Sequence, residues 1–392
     1  MANRLSLVLN TLVGPKQSVF VKDRKIQDAL ILAHEMIEDF KGPRHASMAL
    51  KVDIKKAYNS VSWDFLLKIL KGYGFSAREE ISVTHAAAQT QPTMNLVFFA
   101  DDLLIAYKAS VPNAKALVGL FKNFEELSGL QISQQKSTVI FSRAVRRKQT
   151  LLRVLKCSEE QFPIKYLGLP LSPYGLKKAN CQCLIDKVSG KINCWCTKML
   201  SVAGKVELIR STINPIFLYW CSIYTVPVFV INQLQKMCRN FIWGSTDHSK
   251  KLHLMSWDMI TRDKAEGGLR LRKLVNIQSA SKVVLTWDFL TSKDRLWVSW
   301  FRNKYTSQSN YWNVIPKITH SVIWKAMLEI RDPMLQHVNF CIGNGLMFNM
   351  QDPRCDGLTF SQRFGHRVLR SLNTPKTATL SRLLRNGTWD SN

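Results

Sequence analysis

The stretch Leu96-Val97-Phe98-Phe99-Ala100-Asp101-Asp102-Leu103-Leu104-Ile105-Ala106-Tyr107 decides how the chain is read. Five apolar residues lead into two adjacent acids, and five more lead out. The pattern predicts strand, tight turn and strand, with both carboxylates at the hairpin tip. Asp-Asp is a poor turn pair, since Asn-Gly or Asp-Gly fills that role best. Two adjacent like charges are also costly unless a cation neutralises them. A divalent metal suits the site, because Mg²⁺ takes carboxylate oxygens. The plain alternative is a solvated turn between two core strands.

Working outward, Met48-Ala49-Leu50-Lys51-Val52-Asp53-Ile54 alternates. Met48, Leu50 and Val52 share one face; Lys51 and Asp53 share the other. Asp53 therefore leaves the strand on a polar face near its end, with Tyr58 five residues later. One acid on a strand and an acid pair on a hairpin tip are what a two-metal phosphoryl-transfer site needs. There, two cations about 3.5–4 Å apart clamp the attacking and leaving oxygens.

At these stretches the chain resembles a known family. Lys51-Val52-Asp53-Ile54-Lys55-Lys56-Ala57-Tyr58-Asn59-Ser60-Val61 is similar to motif A of reverse transcriptases, and Phe99-Ala100-Asp101-Asp102 to motif C. The detailed resemblance is to plant non-LTR (LINE-type) retrotransposon polymerases. Asn3-Arg4-Leu5, Gln17-Ser18-Val19-Phe20, Tyr166-Leu167-Gly168-Leu169-Pro170-Leu171 and Leu200-Ser201-Val202-Ala203-Gly204-Lys205 also resemble that family, in the expected order. The resemblance covers nearly the whole chain. An intron maturase or an RNA-virus replicase is a weaker relative, because the Tyr166–Leu171 run and the Ala-Asp-Asp triplet favour the retroelement.

The resemblance implies an α+β fold: a polymerase palm remnant with an antiparallel sheet, then a helical thumb and a mainly helical C-terminal connector. The divisions fall at 1–172, 173–266 and 267–392. It implies RNA-templated DNA synthesis, in which a primer 3′-hydroxyl attacks the α-phosphate of a deoxynucleotide. Asp53, Asp101 and Asp102 would hold Mg²⁺ (Mn²⁺ as a substitute), with the Ile54 backbone carbonyl completing one metal shell. Lys136, in the motif D-like run Gln131–Ser137, would protonate pyrophosphate or neutralise phosphate charge. The bland reading of Lys136 is a solvated loop lysine. Tyr58 would stack under the sugar and select deoxynucleotides. Tyr166, Leu167 and Gly168 would grip the primer. Implied partners are an RNA template and a DNA primer. Asn59 stands where the family usually has Asp, outside the metal triad.

One departure is large. From Phe75 to Phe98 the family interval is several times longer and carries motif B, which holds the template and the nucleotide base. No Arg-Gly-Leu-Arg-Gln-Gly-Asp-like run occurs in this chain. At about 1.5 Å per residue the interval fits one short helix and a connector. A deletion is expected, and with it impaired catalysis, because misplacement by about 1 Å can cost on the order of a hundredfold in rate. The alternative function is a non-catalytic, nucleic-acid-binding or vestigial product of a decayed element. The family's endonuclease and most of its fingers are expected to be missing upstream, and its zinc module and ribonuclease H domain beyond Asn392.

Composition agrees with a polyanionic partner. The chain has 392 residues, 55 Lys+Arg against 28 Asp+Glu, and a formal net charge of +27. Nucleic acid leads and a membrane surface is the runner-up; a merely soluble basic protein is the plain alternative. A hydrophobic content of 46% is enough for substantial cores. Nine cysteines and no signal peptide suggest an intracellular protein of the nucleus or cytoplasm. The run without charge between Arg210 and Lys236 is broken by Pro215 and Pro227, so buried helices are expected there rather than a membrane span.

Periodicity predicts the remaining helices. An apolar stripe of Ala29, Leu32, Ala33, Met36, Ile37 and Phe40 marks one. Ser62 is expected to cap another, Asn113 a third carrying Leu117, Leu120, Phe121, Phe124 and Leu127. Leu184, Val188, Ile192, Trp195 and Met199 mark a further helix. Cys181-x-Cys183 and Cys194-x-Cys196 fall within it and do not suit zinc, because i and i+2 lie on different helix faces. Arg143, Arg146, Arg147 and Lys148 form a basic patch. Trp287, Trp297, Trp300, Trp312 and Trp324 are read as core in preference to base-stacking platforms.

Overall fold

The computed structural model describes residues 8–9, 12–17, 21–42, 46–73, 96–196, 199–244, 252–292, 294–307 and 311–338, with short strands at 384–385 and 388–389. The runs Asn3–Leu5 and Ser18–Phe20, most of the interval from Phe75 to Phe98, and the C-terminal region after 338 apart from those strands lie outside them.

The fold is α+β. A five-stranded mixed sheet is built from β1 (Ser47–Val52), β2 (Leu96–Phe99), β3 (Asp102–Lys108), β4 (Thr138–Phe141) and β5 (Ser158–Glu159), in the order β2-β3-β1-β4-β5. β1 pairs antiparallel with β3 and with β4, and β2 antiparallel with β3. However, β4 and β5 are parallel, so the sheet is mixed and not antiparallel throughout as expected: the Lys148–Leu155 helix between them is a crossover that returns the chain in the same direction. The period-two pattern of β1 sorts its side chains. Met48, Leu50 and Val52 join Leu103, Val139 and Phe141 in one core; Ala49 joins Val97, Leu104 and Ile140 in the other.

The first core is roofed by α3 (Val111–Ser128) and α4 (Lys148–Leu155). Ser110, not Asn113, caps α3: its Oγ accepts the Asn113 N–H at 3.4 Å, because Pro112 occupies the first turn and pushes the cap back. The apolar stripe of α3 is narrower than its periodicity suggests. Leu117 and Phe121 pack on the core, whereas Leu120 and Leu127 are 60% and 67% exposed. Ser62 does cap α2 (Trp63–Gly72), accepting the Phe65 N–H at 3.3 Å. That helix buries no residue fully.

On the other face runs α1 (Ile26–Glu38), buried almost all round rather than along a stripe. A helix with no solvent face belongs to the interior, and α1 even buries His34 and Glu35. Its core continues without a break into α5 (Lys178–Cys196), α6 (Val202–Leu208), α7 (Asn214–Cys221), α8 (Val228–Trp243), α9 (Leu274–Thr291), α10 (Leu296–Tyr305) and α11 (Val322–Glu329). Met199 falls beyond the end of α5 and is fully exposed. Between α7 and α8 the chain breaks at Pro227, the residue before Val228. Among the described residues no helix is long and apolar enough to cross a membrane.

The C-terminal helices are pinned to α1 by charge as well as packing. Lys304 Nζ and the Tyr305 hydroxyl both donate to Glu35 Oε2, at 3.0 and 2.8 Å. Arg295 bridges Asp28 at 3.4 Å and Asp288 at 2.9 Å. Beneath them Phe289, Trp297, Phe301, Tyr305, Tyr311 and Trp324 form one aromatic cluster, with Tyr305 stacked on Trp324 at 4.7 Å. Trp297, Trp312 and Trp324 are core and Trp300 packs against it, while Trp287 is 48% exposed.

Candidate functional site

The acids gather at one end of the sheet. β1 and β3 pair as far as Val52 opposite Leu103, so the next positions along the same register are Asp53 and Asp102. Like charges directly opposed are unfavourable. The β2–β3 turn differs from the one expected. Phe99 pairs with Asp102, so the turn residues are Ala100 and Asp101, and Asp102 opens the returning strand. Asp-Asp is thereby kept out of the turn pair, and Ala100 takes the left-handed conformation at φ 52°. The Ala100 N–H donates to Gln17 Oε1 at 3.1 Å, and Gln17 also bridges to Phe98.

The carboxylates feel one another. The Asp102 carboxyl is pushed above its ordinary pKa chiefly by burial and then by Asp101; Lys51 opposes this, and Asp53 adds to it. Lys136 stands on the other flank, its Nζ 3.9 Å from Asp53 Oδ2, with the lysine 75% and the aspartate 33% exposed. Such an exposed pair is worth about 0–1 kcal/mol.

Backbone bonds hold the Lys136 loop against Asp53. The Ser133 N–H donates to the Asp53 carbonyl and the Lys55 N–H to the Gln131 carbonyl, both at 2.8 Å. These flank the Ile54–Ile132 bridge and leave the Ile54 carbonyl out of that ladder. The Asp53 N–H donates to Ser137 Oγ at 3.1 Å. Tyr58 lies in the helical turn Ala57–Ser60; its side chain is outside the described residues.

A second hairpin adjoins this end. β6 (Ile164–Tyr166) and β7 (Leu169–Leu171) pair antiparallel, joined by Leu167 and Gly168. Both turn residues have positive φ, 47° and 82°. A two-residue turn of this kind requires that, and Gly168 supplies it without strain. Lys51 Nζ donates to the Lys165 carbonyl at 2.8 Å, joining the hairpin to β1. From the far side, Tyr219 on α7 donates its hydroxyl to the Leu167 carbonyl, and Tyr224 donates to the Pro170 carbonyl, each at 2.5 Å. Tyr166 is buried, and its hydroxyl has no hydrogen-bond partner among the described residues. Burial, with the Asp102 charge beside it, drives that phenol's pKa upward.

The structure thus sets Lys136 against Asp53, leaves Asp102 within reach of the Asp53 and Asp101 charges, and ties the Tyr166–Gly168 hairpin to β1. Oxygen donors of the kind Mg²⁺ takes are present. However, among the described residues no three His, Cys, Asp or Glu side chains are grouped to hold a metal ion. The arrangement is an acidic cluster with a lysine at its rim rather than a formed metal cage. Sequence reading missed the supports. Gln17 and Ser137 sit in runs already singled out, but Tyr219 and Tyr224 lie in an apolar interval that carries no sign of their role.

No protein-family model matches the chain. Part of it is similar to a putative ribonuclease H protein of Arabidopsis thaliana, 30% identical over 166 residues, which make up 41% of this chain and 27% of that protein.

Proposed function

We propose that this chain is a reverse transcriptase domain fragment of plant non-LTR retrotransposon ancestry, one that binds nucleic acid but no longer polymerises efficiently. The observation that carries the reading is that the β1–β3 register leads on to Asp53 and Asp102, which feel each other's charge, with Asp101 in the adjoining turn. Two runs separated by more than forty residues of sequence have no reason to converge as acids in a merely solvated turn. Lys136 beside Asp53 and the Tyr166–Gly168 hairpin beside β1 support the same reading. In it, the five-stranded sheet is a palm remnant, α5 to α8 a thumb and the later helices a connector. The partial match to a plant protein named for ribonuclease H is in keeping with a nucleic-acid-related ancestry.

In this reading the acids keep a weak affinity for Mg²⁺ or Mn²⁺, and a bound ion would supply charge neutralisation to the cluster. The chain's own contribution is positional. Lys136 offers a cation at the rim, and the hairpin held by Lys51, Tyr219 and Tyr224 offers a rigid edge for a primer. Impairment follows from the short Phe75–Phe98 interval.

The test is binding of a labelled RNA–DNA duplex of mixed sequence across a salt series. A net charge of +27 leads us to expect sequence-tolerant binding that weakens steeply with salt, because neutralised phosphates release counterions. Absence of binding at low salt would contradict the reading.

A further inference from the structure

Away from the acidic cluster, a groove of about 560 Å³ opens between the start of α7, the face of α9 and the loop after the short helix Trp257–Thr261. Arg210, Lys264, Arg270 and Arg272 stand around it, over a floor that includes Pro215, Leu218 and Ile277. The volume lies within the range that holds a small ligand, about 300–1,000 Å³.

Its basic wall is built rather than incidental. The loop is closed by backbone bonds from Leu269 to Ile260, Arg270 to Arg262 and Gly268 to Asp263, at 3.0, 2.9 and 3.0 Å. Gly268 is required there, since a Cβ would meet the Arg262 carbonyl oxygen at 2.1 Å. Arg210 ties α7's approach to this loop by donating to the Leu269 carbonyl at 3.1 Å. Two of the four cations have acidic partners: Arg210 pairs with Glu207 at 2.6 Å and Arg270 with Asp263 at 3.3 Å. Lys264 and Arg272 are exposed and have no ion-pair partner among the described residues.

We propose that this groove is a second nucleic-acid site, taking the phosphate groups of a single strand. Arg272 and Lys264 meet the phosphates, and Pro215, Leu218 and Ile277 offer an apolar surface to an unpaired base. A duplex hides its base faces and makes no use of that floor, which is why a single strand is favoured. Planar guanidinium donors suit phosphate oxygens. The inference rests on the nucleic-acid reading above and names where a strand is held outside the acidic cluster.

The test uses the full chain and a fluorescent twelve-nucleotide single-stranded DNA, titrated at several salt concentrations. Lys264→Gln/Arg272→Gln should lower the slope of log K against log salt by about 1.4, at about 0.7 per lost contact on single strands. Lys264→Arg/Arg272→Lys, which keeps both charges, should retain the slope. Lys115→Gln/Lys122→Gln, an equal charge loss on α3 across the sheet, should leave it nearly unchanged. An unchanged slope in the groove variant, or an equal fall in the α3 variant, would overturn the groove while leaving nucleic-acid binding intact. Failure of the wild-type chain to bind any strand would instead remove the parent reading, and the groove with it. Vesicles of phosphatidylcholine with phosphatidylserine, or inorganic phosphate at millimolar concentration, should compete poorly. Tighter capture by the vesicles, lost in the groove variant, would reassign the groove to lipid headgroups and overturn the proposal.

Discussion

Asp102 is held at a disadvantage by its surroundings. Burial and the neighbouring Asp101 and Asp53 raise its pKa, against the help of Lys51. The sign follows from proton linkage. Above the unfolded carboxyl value of about 3.9 and up through the raised folded one, the folded state holds more proton, so stability falls as pH rises across that window. Asp102→Asn should therefore stabilise the chain at pH 7, by at most about 1 kcal/mol because the carboxyl is partly solvated. The gain should vanish below about pH 4. Denaturant melts at both pH values check this, and a less stable variant at pH 7 would mean that Lys51 dominates the site. The sequence marked these acids by their adjacency and by the alternation of β1. It singled out the runs that hold Gln17 and Ser137 but not the bonds their side chains make, and it did not mark Tyr219 or Tyr224, because each of these bonds reaches a backbone atom distant in sequence.

Elements were legible where local chemistry decides them. Ser62 caps α2 as its position implies. Where a neighbour decides, periodicity misled. Leu120 and Leu127 continue the spacing of α3 but face solvent, and α1 is buried round its whole circumference because the C-terminal helices close over it. The hairpin turn moved back by one residue, since a two-residue turn accommodates Ala100-Asp101 better than two acids. Gly129 gives a clean test of the α2–α3 junction. A Cβ there would lie 2.9 Å from the Ser60 carbonyl oxygen, on a backbone already at positive φ. Gly129→Ala should cost about 1–3 kcal/mol. Gly119→Ala, in the same helix with open space at its Cβ, should instead gain about 0.5–1 kcal/mol. Urea melts of the two variants should move in opposite directions.

At the scale of the whole molecule, one core runs from α1 and the sheet through α11, and a smaller one lies under α3 and α4. Composition foretold the capacity for such cores but not their continuity. That continuity depends on long-range ties such as Glu35 to Lys304 and Asp28 to Arg295, which no local pattern announces. The proposed division of labour is then a stable, strongly basic scaffold that still holds nucleic acid, with an acidic cluster that no longer directs efficient synthesis. Primer extension on an RNA template with all four deoxynucleotides and Mg²⁺ or Mn²⁺ tests this most directly, with Asp101→Asn/Asp102→Asn as the blank. The expected result is binding of the primer–template with extension no greater than in the blank. Robust extension by the wild-type chain, lost in the blank, would contradict it.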